Sequence, residues 1–412
     1  MNIFWKFLPF WIFLAFFRFG AVMHYSLISP LGEKFLPLWL VGILMGSGSV
    51  IQLLLDVPAG HILDRYGYKR FLIVAAAIFS LAAVCFMFGL TQTTYLISIF
   101  IATFGWLFFG PGVNAYVLSH APRHEAGKFI SFRDVFSSVG VVLSSAVLPF
   151  VLILSPERMG YVLFAILFVA LVLIILSPRD TESVHKEIKI STHHHYIKRH
   201  QPLSSLRAIK RLNPASGLLL LLNLSGSVFY GIVWFVVPLV IVHEANSGLL
   251  SLGLGIFDFA VVVMGFFLGN LADRMNRRTM VLIGLLVFSF SGMLVGWSFS
   301  WMFLIFGFLA TSGDEAAGLS LWAWLHSLDR EHDSDGAISG VINLFQDFGW
   351  AIGPMIAGVA YGAVGPSWTI LIGAVPIFIM WIVCQFAMKD HASHSVVLVD
   401  TPRKPHKARH RS

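Results

Sequence analysis

Charge is scarce in this chain and cysteine is almost absent. Asp, Glu, Lys and Arg make up only 12% of the 412 residues, against 57% hydrophobic residues. A soluble core of this length cannot hide so much apolar surface, so the composition calls for the bilayer as solvent. Cys85 and Cys384 lie far apart in apolar stretches, which excludes a disulfide framework and a CxxC metal site. The zinc-protease pattern HExxH is missing as well, because His124-Glu125 and His243-Glu244 both lack the second histidine. No nucleophile–base or metal constellation is present. The chain is therefore not read as an enzyme, and no cofactor is expected.

What is present is apolar length. Windows of about 20 residues give twelve spans, roughly 6–29, 37–62, 71–92, 94–119, 129–154 and 159–177, then 214–242, 248–272, 279–299, 301–327, 337–362 and 366–388. Backbone exposed to lipid must satisfy its own hydrogen bonds, so all are expected to be helices. The expected class is an all-α membrane protein of two six-helix halves, residues 1–177 and 213–388. A polar linker, 178–212, joins them, and a basic tail follows at 389–412. The N-terminal apolar run has no small-residue cleavage pattern and reads as a retained first span. The linker triplet His193-His194-His195 can be read as a metal-binding tract or as a solvated one, and the solvated reading is preferred.

One stretch is patterned more strongly than any other. Asp56-Val57-Pro58-Ala59-Gly60 runs into Asp64-Arg65-Tyr66-Gly67-Tyr68-Lys69-Arg70, a charged turn between the second and third spans. It returns 209 residues later, with Gly60, Asp64, Arg65 and Lys69 matched by Gly269, Asp273, Arg274 and Arg278. Gly67 is matched by Asn276, and Asn is the best substitute for Gly where a turn needs positive φ. In spans five and eleven, Phe132-Arg133-Asp134 is matched by Phe345-Gln346-Asp347 at an offset of 213. Such duplication fits a transporter built from repeats. Of the 28 Lys and Arg residues, 24 fall on the side holding both turns, and only Lys34 and Arg158 on the other. The positive-inside rule then places both turns and both termini in the cytoplasm. Basic segments beside anionic lipid account for the pI near 9.5, so no nucleic-acid partner is expected.

Over essentially its whole length the chain resembles the major facilitator superfamily. The first turn is similar to that family's signature between its second and third helices, and the second turn to the weaker copy between the eighth and ninth. Gly349-x3-Gly353-Pro354-x3-Gly358 in span eleven resembles the family's glycine-proline helix, in which small residues let helices approach closely. The resemblance implies alternating access and a cytoplasmic gate containing Asp56, Gly60, Asp64, Arg65, Gly67, Lys69, Gly269, Asp273 and Arg274. It also implies that Asp64 meets the start of span eleven when the cytoplasmic side is closed. Two features typical of the family's drug/proton antiporters are missing. Residues 94–119 carry no charge, and residues 129–148 contain no proline.

Charges inside the spans are few: Arg18, Asp56, Arg133, Asp134, Asp258, Asp314, Glu315 and Asp347. Spans three, six, nine and twelve have none, and in the family resembled here those four are peripheral. A central acid costs roughly 2.5–3.5 kcal/mol to insert, so it persists where water, a partner or function compensates. Asp314-Glu315 reads either as a proton- or substrate-binding pair or as a buried ion pair that fixes packing, with Arg18 as the partner. Asp258 stands where the first half has Ser49, an asymmetry that favours function. Tyr230, Trp234 and Asn114, together with His24, Tyr25 and Asn223, are candidates for the substrate path, with helix packing as the competing reading.

These readings converge on a secondary transporter of the bacterial inner or plasma membrane, monomeric and driven by the proton gradient. It is expected to export a small organic solute or drug-like compound. A carboxylate enclosed in an apolar cavity holds a proton that it releases on hydration. The competing readings are proton-coupled uptake, movement of an amphiphile or lipid, and a transport-inactive membrane scaffold or sensor.

Overall fold

The computed structural model describes residues 3–121, 126–178, 214–243, 248–297, 299–328 and 335–387. The linker histidines and the basic tail lie outside the described residues. So do the side chains of Asp56, Gly60, Asp64, Arg65, Gly269, Asp273 and Arg274, and hence most of the expected gate. Among the described residues every regular element is a helix.

After a single turn at Ile3–Lys6 come α1 (Leu8–Gly32), α2 (Leu38–Tyr66), α3 (Tyr68–Met87), α4 (Gln92–His120), α5 (Ala126–Leu152) and α6 (Pro156–Leu176). The second series is α7 (Pro214–His243), α8 (Gly248–Arg274), α9 (Arg277–Val295) and α10 (Trp301–Leu328). Asp335–Ala387 is helical except at Gly365 (φ 79°, ψ 176°), which divides it into α11 (335–364) and α12 (366–387). Ten helical stretches are long and apolar enough to cross a membrane, with Leu344–Ala387 counted once, and α8 contributes the shorter apolar stretch Leu252–Gly265.

Local chemistry sets the ends. Thr91 and Thr94 form a reciprocal capping box at the start of α4, with Thr94 N–H donating to Thr91 Oγ1 at 3.2 Å and Thr91 N–H to Thr94 Oγ1 at 2.9 Å. Pro156 opens α6, where its missing N–H leaves no intrahelical bond unmade. The first charged turn is shorter than the sequence implies. Helix α2 continues to Tyr66 and α3 starts at Tyr68, so the reversal rests on Gly67 alone, at φ 93°. An L side chain is strongly disfavoured there. Asn276 does not repeat that geometry. Its φ is −62°, and its side chain instead caps α9 by accepting the Arg278 N–H at 3.0 Å.

The repeat survives in the packing. Helix α1 lies on α5 as α7 lies on α11, α3 on α4 as α9 on α10, and α3 on α6 as α9 on α12. Helices α1 and α7 are the most enclosed spans, 72% and 89% buried. The matched cations of the two turns do matched work. Lys69 Nζ donates to the Ile175 and Ser177 carbonyls at 2.8 and 2.6 Å, and Arg278 Nη2 donates to the Gln385 carbonyl at 3.4 Å. Each closes the open carbonyl end of the last helix of its own series, where a cation is favoured.

The two series meet through α2 against α11, α5 against α8, and α1 against α7. The closest approach is at the end opposite the charged turns. A Cβ added at Gly42 would overlap the Pro354 carbonyl, one at Gly46 the Ala351 carbonyl, and one at Gly358 the Leu38 carbonyl. Gly349 and Gly353 are pressed against α7, so the glycines of α11 serve two helices. At the same end Glu33, just past α1, meets His243, the last residue of α7, at 2.8 Å.

Two outcomes are expected. Gly42→Leu should force this end apart, so that a cysteine placed near Leu38 reacts faster with a membrane-impermeant thiol reagent than in the parent protein. Lys69→Met should lower stability by about 0.3–1 kcal/mol, read as a lower thermal midpoint in detergent.

Candidate functional site

A cavity of about 340 Å³ opens between α7, α10 and α11. Its polar lining is Asn223, Ser227, Tyr230, Asp314, Glu315 and Gln346, and Trp350 supplies an aromatic wall. The carboxylate of Asp314 is placed by its neighbours. Gly313 presses α10 onto the backbone of Gly284 and Phe288 in α9, leaving no room for a side chain on that face. Opposite, Gly226 of α7 leaves open the space where a Cβ would lie 3.7 Å from Asp314 Oδ1. Tyr230, one helical turn further along α7, donates its hydroxyl to Asp314 Oδ2 at 2.9 Å. The phenol ring is held by Phe288, stacked at 6.0 Å, and by the edge of Phe257 at 5.8 Å. Asp314 is therefore fixed in orientation, while Glu315 lines the same cavity.

A second polar cluster faces this one from the first series. Arg133 donates through Nε to Asp134 Oδ1 at 2.8 Å and through Nη1 to Asn114 Oδ1. Asp134 is half exposed and lies within electrostatic reach of Glu315. The Arg133–Asp134 bond joins adjacent residues on one helix, so it leaves the carboxylate open to a further partner.

Arg18 departs from the expectation that it pairs with Asp314 and Glu315. Its guanidinium sits over the Trp106 ring, 5.6 Å from the centroid, and its electrostatic partner is Asp258. Ser138 of α5 donates to Asp258 Oδ1 at 3.4 Å. The physical reason is helix arrangement. Helix α8 packs on α5, and α5 lies on α1, so the acid of α8 is brought toward the cation of α1. Among the described residues the Nε of Arg18 has no hydrogen-bond partner, leaving a cation over an aromatic face.

Other expected residues are dispersed. Trp234 is buried, with its ring 6.2 Å from Tyr25, and does not line the cavity. Asp347 is partly buried, one position beyond Gln346 and outside the lining. Of the expected gate, Gly67 makes the reversal and Lys69 closes α6. Among the lining residues that escaped the sequence reading are Gln346 and Trp350. They are four apart on α11, and that spacing marks one helix face. Among the described residues no three metal-ligating side chains gather.

The sequence model of the Major Facilitator Superfamily matches residues 10–313 and 219–410, and the chain belongs to that family. A curated relative, Multidrug resistance protein 2 of Bacillus subtilis (strain 168), is 23% identical over 180 residues, 42% of this chain and 45% of that protein. The aligned region thus spans about half the length of that relative. Among solved structures, a bacterial homolog of the human lysosomal transporter Spinster, captured inward-facing and unoccupied, superimposes with a TM-score of 0.72 at 13% identity, over 93% of this chain and 96% of that one. The nucleoside transporter NupG gives 0.70 at 14%, over 94% and 100%. A D-xylose-proton symporter gives 0.67 at 16%, over 92% and 98%. These likenesses establish the fold. With its long apolar helices, the chain is an integral membrane protein of this family.

Removing the phenol hydroxyl isolates its contribution to the acid pair. Tyr230→Phe deletes a hydrogen bond to a carboxylate worth about 1.5–3 kcal/mol, with ring packing retained. The expected result is at least tenfold slower transport per folded molecule, with a thermal midpoint lowered by a few degrees. Unchanged flux would remove Tyr230 from the site.

Proposed function

We propose that this protein is a secondary active transporter that exports small organic cations in exchange for protons. The two helix series rock about a central cavity, and the linker at 178–212 and both termini lie in the cytoplasm of a bacterial inner or plasma membrane. The observation that carries this reading is the cavity holding Asp314 and Glu315 beside an aromatic wall. Adjacent carboxylates in a confined space disfavour each other's ionised form, so a proton or a cationic cargo relieves the same repulsion. One site then serves either occupant but not both, which is the requirement for exchange.

Sidedness supports alternating access. The two series press together at the end away from the charged turns, and the positive-inside rule makes that end external. Gln346, on the part of α11 nearer the turns, is exposed, as is Asn114. The arrangement suits a cavity open toward the cytoplasm, one of the two states that such a cycle needs. The aromatic lining suits apolar or aromatic groups on the cation. Arg18 and Asp258, joined across the two series, are assigned to coupling, because their attraction depends on how the series are placed.

The test is flux in proteoliposomes under an imposed pH gradient. Asp314→Asn combined with Glu315→Gln should abolish proton-driven movement of organic cations while expression and folding remain normal. Undiminished flux in the double variant would overturn the assignment. Asp258→Asn should slow turnover at least tenfold while cation binding persists; loss of binding with intact folding would place Asp258 in the cargo site instead.

A further inference from the structure

A second, smaller cavity of about 40 Å³ lies between α1, α2 and α4, lined among others by His24, Tyr25, Ser49, Gln52, Thr103 and Trp106. His24 is 1% exposed. Its Nε2 lies 2.7 Å from Ser98 Oγ, and Ser98 donates its only hydroxyl hydrogen to the Ala82 carbonyl at 2.9 Å. The Nε2 of His24 must therefore carry the hydrogen, which leaves Nδ1 of the neutral ring as an acceptor. The ring is clamped by Phe86, stacked at 5.7 Å, and by the edge of Phe79 at 6.2 Å. Among the described residues Nδ1 has no hydrogen-bond partner, and neither do the hydroxyls of Tyr25 and Ser49 or the amide of Gln52.

Four polar groups without partners line one space, and Tyr25, Ser49 and Gln52 are only partly buried, so they are free to meet a group that enters it. The space admits a small polar group, since about 10–15 Å³ of such volume already holds a water. An alkyl group would leave the polar lining unsatisfied, and an ion would have no counter-charge in it. A hydroxyl fits both roles, donating to His24 Nδ1 and accepting from the Gln52 amide or the Tyr25 hydroxyl. The Tyr25 ring stands 6.4 Å from Trp350, which walls the acid cavity, so one aromatic layer separates the two spaces.

We propose that the His24 niche is a hydroxyl-recognising subsite of the transport cavity, so that the preferred cargo is an organic cation bearing an alcohol beyond an apolar middle. This rests on the cation reading given above. A site built to hydrogen-bond a substrate hydroxyl discriminates against the analogue that lacks it.

The experiment is calorimetric titration of the purified full-length protein with alkyltrimethylammonium ions and their ω-hydroxyl counterparts over a series of chain lengths. The wild-type protein should prefer the hydroxyl member by about tenfold at one chain length, as expected for one well-placed hydrogen bond. In His24→Phe, which keeps ring packing, and in Gln52→Leu, which leaves the Ser98 contact intact, that ratio should fall to near unity. No hydroxyl preference at any length, or a preference that survives both substitutions, would overturn the niche and mark it as a site for water. Asp314→Asn separates the two ideas. If it weakens binding of the alkyl ions while no hydroxyl preference exists, the cation reading stands and the niche fails. If no ion binds the wild-type protein, both fail.

Discussion

Hydrocarbon offers a peptide backbone no hydrogen bonds, and it offers a charge no solvation. From that single constraint the helices follow, since each span must satisfy its own N–H and C=O groups, and so does the rarity of charge within them. It also determines what the few interior charges look like. Asp314 is pinned by Tyr230, Arg133 is tied to Asp134 and Asn114, and Arg18 rests on Trp106 while facing Asp258. In these three cases burial is compensated by something specific. Tyr230, Asn114 and Asp258 come from helices other than those of the charges they meet, so each contact also links parts of the bundle.

The duplication has been retained where it supports the frame and lost where it would carry cargo. Lys69 and Arg278 close equivalent helix ends, and the packing of α1–α6 is repeated in α7–α12. Tyr25 and Trp234, separated by the repeat offset of 209, meet ring to ring at 6.2 Å, where α1 and α7 touch. The cavities have diverged. One is an acid site on α7, α10 and α11, the other an uncharged niche on α1, α2 and α4. A symmetric pair would present the same chemistry twice. On the proposed reading, the divergence gives the path two ends that recognise different parts of one molecule.

Much of the frame was legible in the chain itself, because spans, repeated turn and glycine-proline helix are short-range patterns. The glycines of α11 illustrate this: spacing alone marks them for close packing, and they meet α7 and α2. Partnerships were less legible. Nothing in the local pattern of Arg18 tells whether it turns to α10 or to α8, since that depends on how helices distant in sequence are rotated against one another. The same ignorance hid Gln346 and Trp350. Asn276 shows a different limit. A residue that tolerates positive φ is also a good N-cap, and the start of α9 used the second property.

The arrangement of acids also bears on how occupancy and shape are connected. Asp134 on α5 and Glu315 on α10 belong to different halves and sense each other's charge. The halves already touch at the far end, so closing the end near the charged turns would bring these like charges closer together. Arg133, paired with Asp134 at 2.7 Å, offsets part of their repulsion. We propose that an empty cavity with both acids ionised resists closure at that end, and that a proton or a cation between them lets the occupied form close more readily. Differential binding of this kind is what lets a ligand shift a two-state equilibrium. On the proposed reading, one pair of carboxylates facing each other across the halves ties movement to occupancy, alongside the attraction between Arg18 and Asp258.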